Sequence, residues 1–299
     1  GNPAFGEGSR DVVLESSLVA GGSLIPGGQL TAGLTDTGHI SDPVPAIDLS
    51  GKVAVQTLTP ETGAYSERTA TRERAQALIA AGAVGVINVV EQLGNMHTRD
   101  FSNCNGPCYN VGTADGRFLK DVIDAAEQRG LADTLQISLS LDAEILTGLT
   151  GHNAVGVVPG DSPEIIVINA HADGWYDAAG DNADGLAVLV AMARHFARPL
   201  HRQPRTLVFV ASGGHHSPGL NGPRAFVADN PGLMENAVMV INLEHVAQFE
   251  IDSGDWSVGP AEQPMSFSIT NMAPFLVALA NDGISRYGFN LRPEFRSAA

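Results

Sequence analysis

The chain has 299 residues, of which 43% are hydrophobic, and a formal net charge of −16 at neutral pH. This length and apolar content can bury one or two hydrophobic cores, which excludes a disordered chain. Lys52 and Lys120 are the only lysines, too few to neutralise many phosphates, so nucleic acid is not expected as a partner. The sequence contains no run of about 18 apolar residues, so it predicts no membrane-spanning helix.

The first half of the chain predicts an α/β unit. Its predicted elements are a strand over 53–58, a helix over 67–81 that Gly82 closes, a strand over 84–90, a helix over 116–129 that Gly130 ends, and a half-buried strand over 135–141. The first strand, helix and strand should be joined by a right-handed crossover, because that is the usual hand of such a unit.

Two cysteines, Cys104 and Cys108, flank a turn at Gly106 and Pro107. A local disulfide is the favoured interpretation, and it implies an oxidising compartment. The alternative is a pair of free thiols in a loop. Acidic composition also suits an exported protein or one from a salty environment. We expect a secreted or extracytoplasmic location, although residues 1–25 lack the basic start and apolar core of a signal peptide.

Beyond Gly151 the pattern becomes a series of strand–helix repeats. Apolar strands are predicted over 165–170, 206–211 and 237–243, and helices over 183–197 and 223–228. Continuous apolar strands that alternate with helices indicate a sheet covered on both faces, with functional residues where the strands end. Four residues of types that bind metals follow these strands: His171, His215, His216 and Glu244.

The residues around the first strand end suggest a metal site. His171 offers an imidazole nitrogen, and the carboxylate of Asp173 could accept a hydrogen bond from the other ring nitrogen and orient the ring. Asp181 lies in a glycine-flanked loop before a helix and could bind the metal. The alternative is that Asp181 is only the N-cap of that helix, a position that aspartate favours.

The sequence His171-Ala-Asp-Gly-Trp, followed by Gly180-Asp-Asn-Ala-Asp-Gly, resembles the two ligand motifs of metallopeptidase family M28, which includes aminopeptidase Y and bacterial zinc aminopeptidases. The resemblance implies an α/β fold of the zinc aminopeptidase type, with a mixed sheet and helices on both faces. It also implies that His171 binds a first zinc ion and that Asp181 bridges two.

The family's next motif is a pair of glutamates, a general base and a zinc ligand, and here His215 and His216 stand in their place. Histidine can accept a proton or bind zinc, so the resemblance implies His215 as the proton acceptor and His216 as a ligand. Two loop histidines without a role are the alternative. Glu244 falls where the family has an aspartate ligand of the first zinc.

The family's last ligand is a histidine near its C-terminus, and no histidine follows His245 here. We therefore expect one zinc ion, held by His171, Asp181 and Glu244, and regard a second as doubtful. Strand alternation predicts His245 on the opposite side of the strand from Glu244. Two aromatic residues beside the metal loop, Trp175 and Tyr176, could wall a substrate pocket or simply pack there.

Three segments, beginning at Asp48, Arg74 and Val111, resemble the protease-associated domain in the expected order. The resemblance implies that residues 20–147 form a smaller α/β insert that restricts substrate access. Residues 1–19 would then be a lead-in, and 148–299 the catalytic domain. Because peptidase elements are not evident before the insert or at the close of the chain, we expect a domain incomplete at both ends.

The leading functional prediction is a metal-dependent hydrolase of peptide or amide bonds, in which zinc activates water to attack the carbonyl group. Its partner would be a peptide or small amide substrate, and nothing in the sequence indicates an oligomeric state. One alternative is a catalytically impaired relative that keeps the fold for binding. A further alternative is a single-zinc acyltransferase similar to glutaminyl cyclase.

Overall fold

The computed structural model describes residues 12–14, 17–18, 24–60, 65–92, 95, 104–141, 144, 146–175, 177–217, 219–246 and 273–288. These residues fall into two compact units, and the chain passes from the first to the second near residue 146. Each unit has its own sheet and its own core.

The first unit is built on one mixed sheet. Within the described residues its elements are β1 (Ser17–Leu18), β2 (Gln29–His39), β3 (Lys52–Leu58), α1 (Tyr65–Ala80), β4 (Gly85–Val90), β5 (Cys108–Val111), α2 (Thr113–Gln128) and β6 (Gln136–Ser140), with 3-10 turns at Pro26–Gly28 and Ala132–Thr134. The strand order is β1-β5-β4-β3-β2-β6. Strands β2, β3, β4 and β5 pair in parallel, whereas β1 and β6 are antiparallel to their neighbours.

Alternating side chains of β3 and β4 are buried on the two opposite faces of this sheet. Val53 and Val55 pack in the same cluster as Ile123 of α2, whereas Ala54 packs with Leu78 of α1 on the other face. This alternation follows from the pleat of a strand, which points successive side chains to opposite faces. The continuous apolar runs of the sequence are therefore strands covered on both sides.

The second unit carries the residues singled out as metal ligands. Its elements are β7 (Ala154–Val158), β8 (Ser162–His171), a π-helical turn (Ala179–Ala183), α3 (Asp184–Phe196), a 3-10 turn (Pro199–His201), β9 (Arg205–Ser212), α4 (Gly222–Asp229), α5 (Pro231–Met234), β10 (Ala237–Asn242) and α6 (Pro274–Tyr287). The strand order is β10-β8-β9-β7. Strands β10, β8 and β9 are parallel, and β7 is antiparallel to β9.

Helices cover both faces of this second sheet. Ile168 packs with Leu189 of α3 on one face, and Val167 and Val208 pack with Phe226 of α4 on the other. The predicted mixed sheet with helices on both faces is confirmed. In the described part of the chain, no helix is long and apolar enough to span a bilayer.

Four strands of the described structure were not predicted from the sequence. Strands β1, β2 and β5 lie in the first unit and β7 lies at the edge of the second sheet. The interpretation of the first unit as a protease-associated domain stays a prediction. Cys104 and Cys108 are joined by a disulfide, and both are buried against α1 residues of the first unit.

Candidate metal centre

The centre is built where the parallel strands β8, β9 and β10 end, because parallel strands bring their carboxyl ends to one edge of a sheet. His171 is the last residue of β8 and only 3% exposed. Its Nδ1 atom lies 2.7 Å from the backbone carbonyl oxygen of Asp173. Since a carbonyl oxygen can only accept, Nδ1 carries the proton, and Nε2 is left as a lone pair that can bind a metal.

Asp181 faces this lone pair. Its Oδ1 atom lies 2.9 Å from Nε2 of His171 and 3.0 Å from Nε2 of His216. Burial opposes ionisation of Asp181, but the hydrogen bond from His216 and the electrostatic attraction of the neighbouring imidazoles of His216, His245 and His171 outweigh it, so its pKa is below the usual value. One carboxylate oxygen therefore lies between two imidazole nitrogens.

Asp181 is not a helix cap. It lies in the π-helical turn Ala179–Ala183 with φ −139° and ψ 77°, and α3 begins only at Asp184 after Ala183 as N-cap. The N-cap alternative was wrong because the helix starts two residues later than such a cap would require. The carboxylate of Asp181 is thus available for the centre.

Glu244 completes the set from beyond the end of β10. Its Oε1 atom lies 3.9 Å from Nε2 of His171, and its Oε2 atom accepts a hydrogen bond from Asn242 at 2.9 Å. One donor atom each of His171, Asp181 and Glu244 fall within 4.8 Å of one another. The structure thus brings together the three ligands predicted from the sequence.

This donor set fits a zinc ion. Among the described residues, Nε2 of His171 is buried and has no hydrogen-bond partner, although Oδ1 of Asp181 is only 2.9 Å away. The tautomer explains the contact, since a lone pair on nitrogen faces a carboxylate oxygen with no proton between them. A divalent cation would satisfy both atoms, and three histidine and carboxylate ligands that leave one position open match the general arrangement of a catalytic zinc site.

His215 and His216 lie in the loop after β9 and turn their rings to the same place. The ring of His215 stacks on that of His171 with centroids 4.4 Å apart, and its Nε2 atom lies 4.0 Å from Oε1 of Glu244. The side chain of His215 is 45% exposed and that of His216 only 13%. Together with His171 they form a second possible group of metal ligands.

Asp173 has a different role from the one that the sequence suggested. Its backbone oxygen, not its carboxylate, holds Nδ1 of His171. The carboxylate instead accepts the backbone N–H groups of His215 at 3.0 Å and His216 at 2.7 Å. Burial opposes its ionisation, but these two hydrogen bonds outweigh burial and lower its pKa. Asp173 thus fixes all three histidines, which sequence spacing could not reveal.

His245 was also predicted wrongly. Strand β10 ends at Asn242, and the chain then turns, with His245 at φ 51°. Its Nδ1 atom lies 2.7 Å from the carbonyl oxygen of Gly180, and its Nε2 atom lies 3.7 Å from Oε1 of Glu244. His245 therefore lies on the same side as Glu244, because strand alternation no longer applies beyond the strand.

Asn182 is a site residue that the sequence analysis missed. Its side chain is 1% exposed, donates to the carbonyl oxygen of Leu243 at 2.9 Å, and accepts the N–H of His245 at 3.3 Å. It therefore ties the turn that carries Asp181 to the segment that carries Glu244. Nothing in the residue type or its spacing distinguishes it from an ordinary loop asparagine.

Of the two aromatic residues expected to wall a substrate pocket, only Trp175 is among the described residues. The ring of Trp175 meets that of His216 edge-on, with centroids 6.1 Å apart, and Tyr176 lies outside the described residues. A cavity of about 330 Å³ opens beside the centre, lined by His171, His215 and Glu244 together with apolar residues of the sheet and α4. Trp175 does not line this cavity, so its contribution to a substrate pocket stays a prediction.

Comparison with solved structures defines the class of fold. The zinc aminopeptidase BSAP from Bacillus subtilis superposes with a TM-score of 0.63, 21% identity and coverage of 95% of this chain. A peptidase M28 precursor from Shewanella amazonensis gives a TM-score of 0.65, 20% identity and the same coverage. This chain spans 64% of the length of either structure. The described units thus have the fold of zinc aminopeptidases.

Residues 153–263 match the model of peptidase family M28. This part of the chain is therefore similar to that family of metallopeptidases, in agreement with the resemblance of the motifs at His171 and Asp181. None of the curated proteins compared with the chain matches it.

Proposed function

We propose that the protein is a zinc-dependent hydrolase of peptide or amide bonds, of the aminopeptidase type. One observation carries the proposal: a buried imidazole nitrogen of His171 without a hydrogen-bond partner faces carboxylate oxygens of Asp181 and Glu244 at 2.9 and 3.9 Å. The match of residues 153–263 to the model of peptidase family M28 supports this reaction class.

When bound, zinc would lower the pKa of a water molecule and polarise the substrate carbonyl group. His171, Asp181 and Glu244 would hold one ion, and His216 supports it through Asp181 Oδ1 at 3.0 Å. Among the described residues, Asp181 and His216 are the only predicted ligands that could bind a second ion. We therefore propose a single zinc ion.

His215 is the proposed proton acceptor. It is the most exposed of the imidazoles that contact the centre, with 45% of its side chain accessible, so a substrate can reach it. Its Nε2 atom lies 4.0 Å from Oε1 of Glu244, so a carboxylate lies beside the nitrogen that would accept the proton.

An amidase assay with aminoacyl-nitroanilides tests the proposal. Zinc-loaded protein should release nitroaniline, and removal of zinc by a chelator should abolish release until zinc is restored. His171→Ala should lose activity, whereas His195→Ala, which changes an exposed histidine at the far end of α3, should keep it. Equal turnover by the wild type and His171→Ala would refute the proposal.

A catalytically impaired binding protein is the second candidate, favoured by the histidine pair at the place of the family's glutamates. Replacing both histidines by glutamate distinguishes this binding role from the hydrolase. If the wild type is inactive and the His215→Glu, His216→Glu variant is active, the binding role is supported. The disulfide between Cys104 and Cys108 supports a further proposal, that the protein works in an oxidising, extracytoplasmic compartment.

A further inference from the structure

Two asparagines lie side by side on the face of the sheet that leads to the metal centre. Strands β8 and β10 are parallel neighbours, and Asn169 of β8 is paired directly with Asn242 of β10. His171 follows Asn169 by two residues, and Glu244 follows Asn242 by two residues, at the carboxyl edge of the sheet. The asparagine pair thus lies next to the proposed ligands and lines the same cavity.

The two amides form a directed hydrogen-bond chain to Glu244. Nδ2 of Asn169 donates to Oδ1 of Asn242 at 2.7 Å, and Nδ2 of Asn242 donates to Oε2 of Glu244 at 2.9 Å. Only one orientation of the Asn242 amide satisfies both contacts. If the amide were reversed, its oxygen would face the carboxylate and its NH2 group would face the NH2 group of Asn169.

The hydrogen bonds of the asparagines leave the two carboxylate oxygens of Glu244 in different surroundings. Oε2 is held by the asparagine, whereas Oε1 is directed to the centre, 3.9 Å from Nε2 of His171. A carboxylate with one oxygen fixed in this way presents the other to a metal as a single, oriented ligand. Groups that orient a ligand through hydrogen bonds affect metal affinity even though they do not touch the metal.

We propose that Asn242 is a positioning residue for Glu244, and that Asn169 acts only through Asn242 by fixing the direction of its amide. The proposal rests on the proposed function insofar as Glu244 is taken as a zinc ligand. The asparagine pair is not part of an apolar core, since Asn242 is exposed and Asn169 only partly buried. Its loss should therefore affect metal binding more than folding.

Zinc affinity, measured by competition with a chelating dye, tests the proposal without relying on activity. Asn242→Ala should weaken zinc binding by about 10- to 100-fold, the range typical of groups that orient a ligand. Asn169→Ala should weaken it less, because the amide of Asn242 can still donate part of the time. The double variant should bind zinc as Asn242→Ala does, because Asn169 can influence the metal ligand only through Asn242.

A matched control is Asn236→Ala. Asn236 is exposed, immediately precedes β10, and donates one side-chain hydrogen bond, to Gly232 at 3.1 Å. It should bind zinc as the wild type does. Thermal unfolding of the zinc-free variants should match that of the wild type, which a purely structural role for Asn242 would not allow.

The outcomes separate this inference from the proposed function. If the wild type binds zinc and Glu244→Ala loses affinity, but Asn242→Ala binds like the wild type, the inference alone is overturned. Additive losses in the double variant would overturn the role given to Asn169. If the wild type does not bind zinc, or Glu244→Ala binds it unchanged, the proposed ligand set fails and this inference fails with it.

Discussion

Replacing Asp173 by asparagine should loosen the loop that carries His215 and His216. The carboxylate accepts two backbone N–H groups, at 3.0 and 2.7 Å, and the amide can accept only one and turns its NH2 group towards the other. A hydrogen bond to a charged group contributes about 1.5 to 3 kcal/mol. Because the Asp173 side chain is 25% exposed, solvent screening places the expected loss near the lower end, at about 2 kcal/mol.

This loss should appear as a fall of about 4 to 8 °C in the melting temperature of the second unit, measured by circular dichroism. Zinc affinity should fall as well, because His216 would no longer be held against Asp181. Asp177→Asn is the matched control, since it removes the same charge from an exposed position in the same loop. Equal melting temperatures and equal zinc affinities for the two variants would refute the bracing role of Asp173.

Three further substitutions probe other parts of the molecule. Asn182→Ala leaves the partly buried carbonyl of Leu243 without its donor and should cost about 1 to 3 kcal/mol in urea unfolding. Unchanged zinc affinity would contradict the role of Asn182 in connecting the Asp181 turn to the Glu244 segment. Leu189→Ala empties part of the α3 core and should cost about 2 to 5 kcal/mol by the same measurement. Cys104→Ser opens a short loop and should cost about 2 kcal/mol, a difference that a reducing agent should abolish.

The strands that the sequence predicted best are those buried on both faces. Strands β3, β4, β8 and β9 read as continuous apolar runs because helices cover both of their sides. Strand β2, in contrast, contains two glycines and several polar residues, and buries Thr35 and Thr37 by hydrogen bonding and pairing rather than by apolar character. Composition alone gives no strand signal there.

Edge position explains why β7 was missed. It is a short strand whose Val155 and Val157 are 49% and 57% exposed, and Gly156 interrupts its apolar character. It pairs with β9 on one side only. A short apolar segment of this kind is equally compatible with a loop, and only the tertiary pairing makes it a strand.

The positions of the candidate ligands were predictable because they depend on strand ends, which sequence patterns locate. His171 and Glu244 follow apolar strands, and parallel pairing then brings them together. The contacts of Asp173 and His245 were not predictable, because they depend on the path of loops rather than on a repeating pattern. A left-handed turn at His245 redirects a side chain that alternation would have placed on the other face.

Zinc binding by the wild type and His171→Ala tests the central claim most directly. Isothermal titration of the zinc-free protein, with the metal content confirmed by mass spectrometry, should show one zinc ion bound per chain. His171→Ala should lose that binding, and His195→Ala should retain it. If the wild type binds no zinc, or if His171→Ala binds it with unchanged affinity and stoichiometry, the centre is not the metal site described.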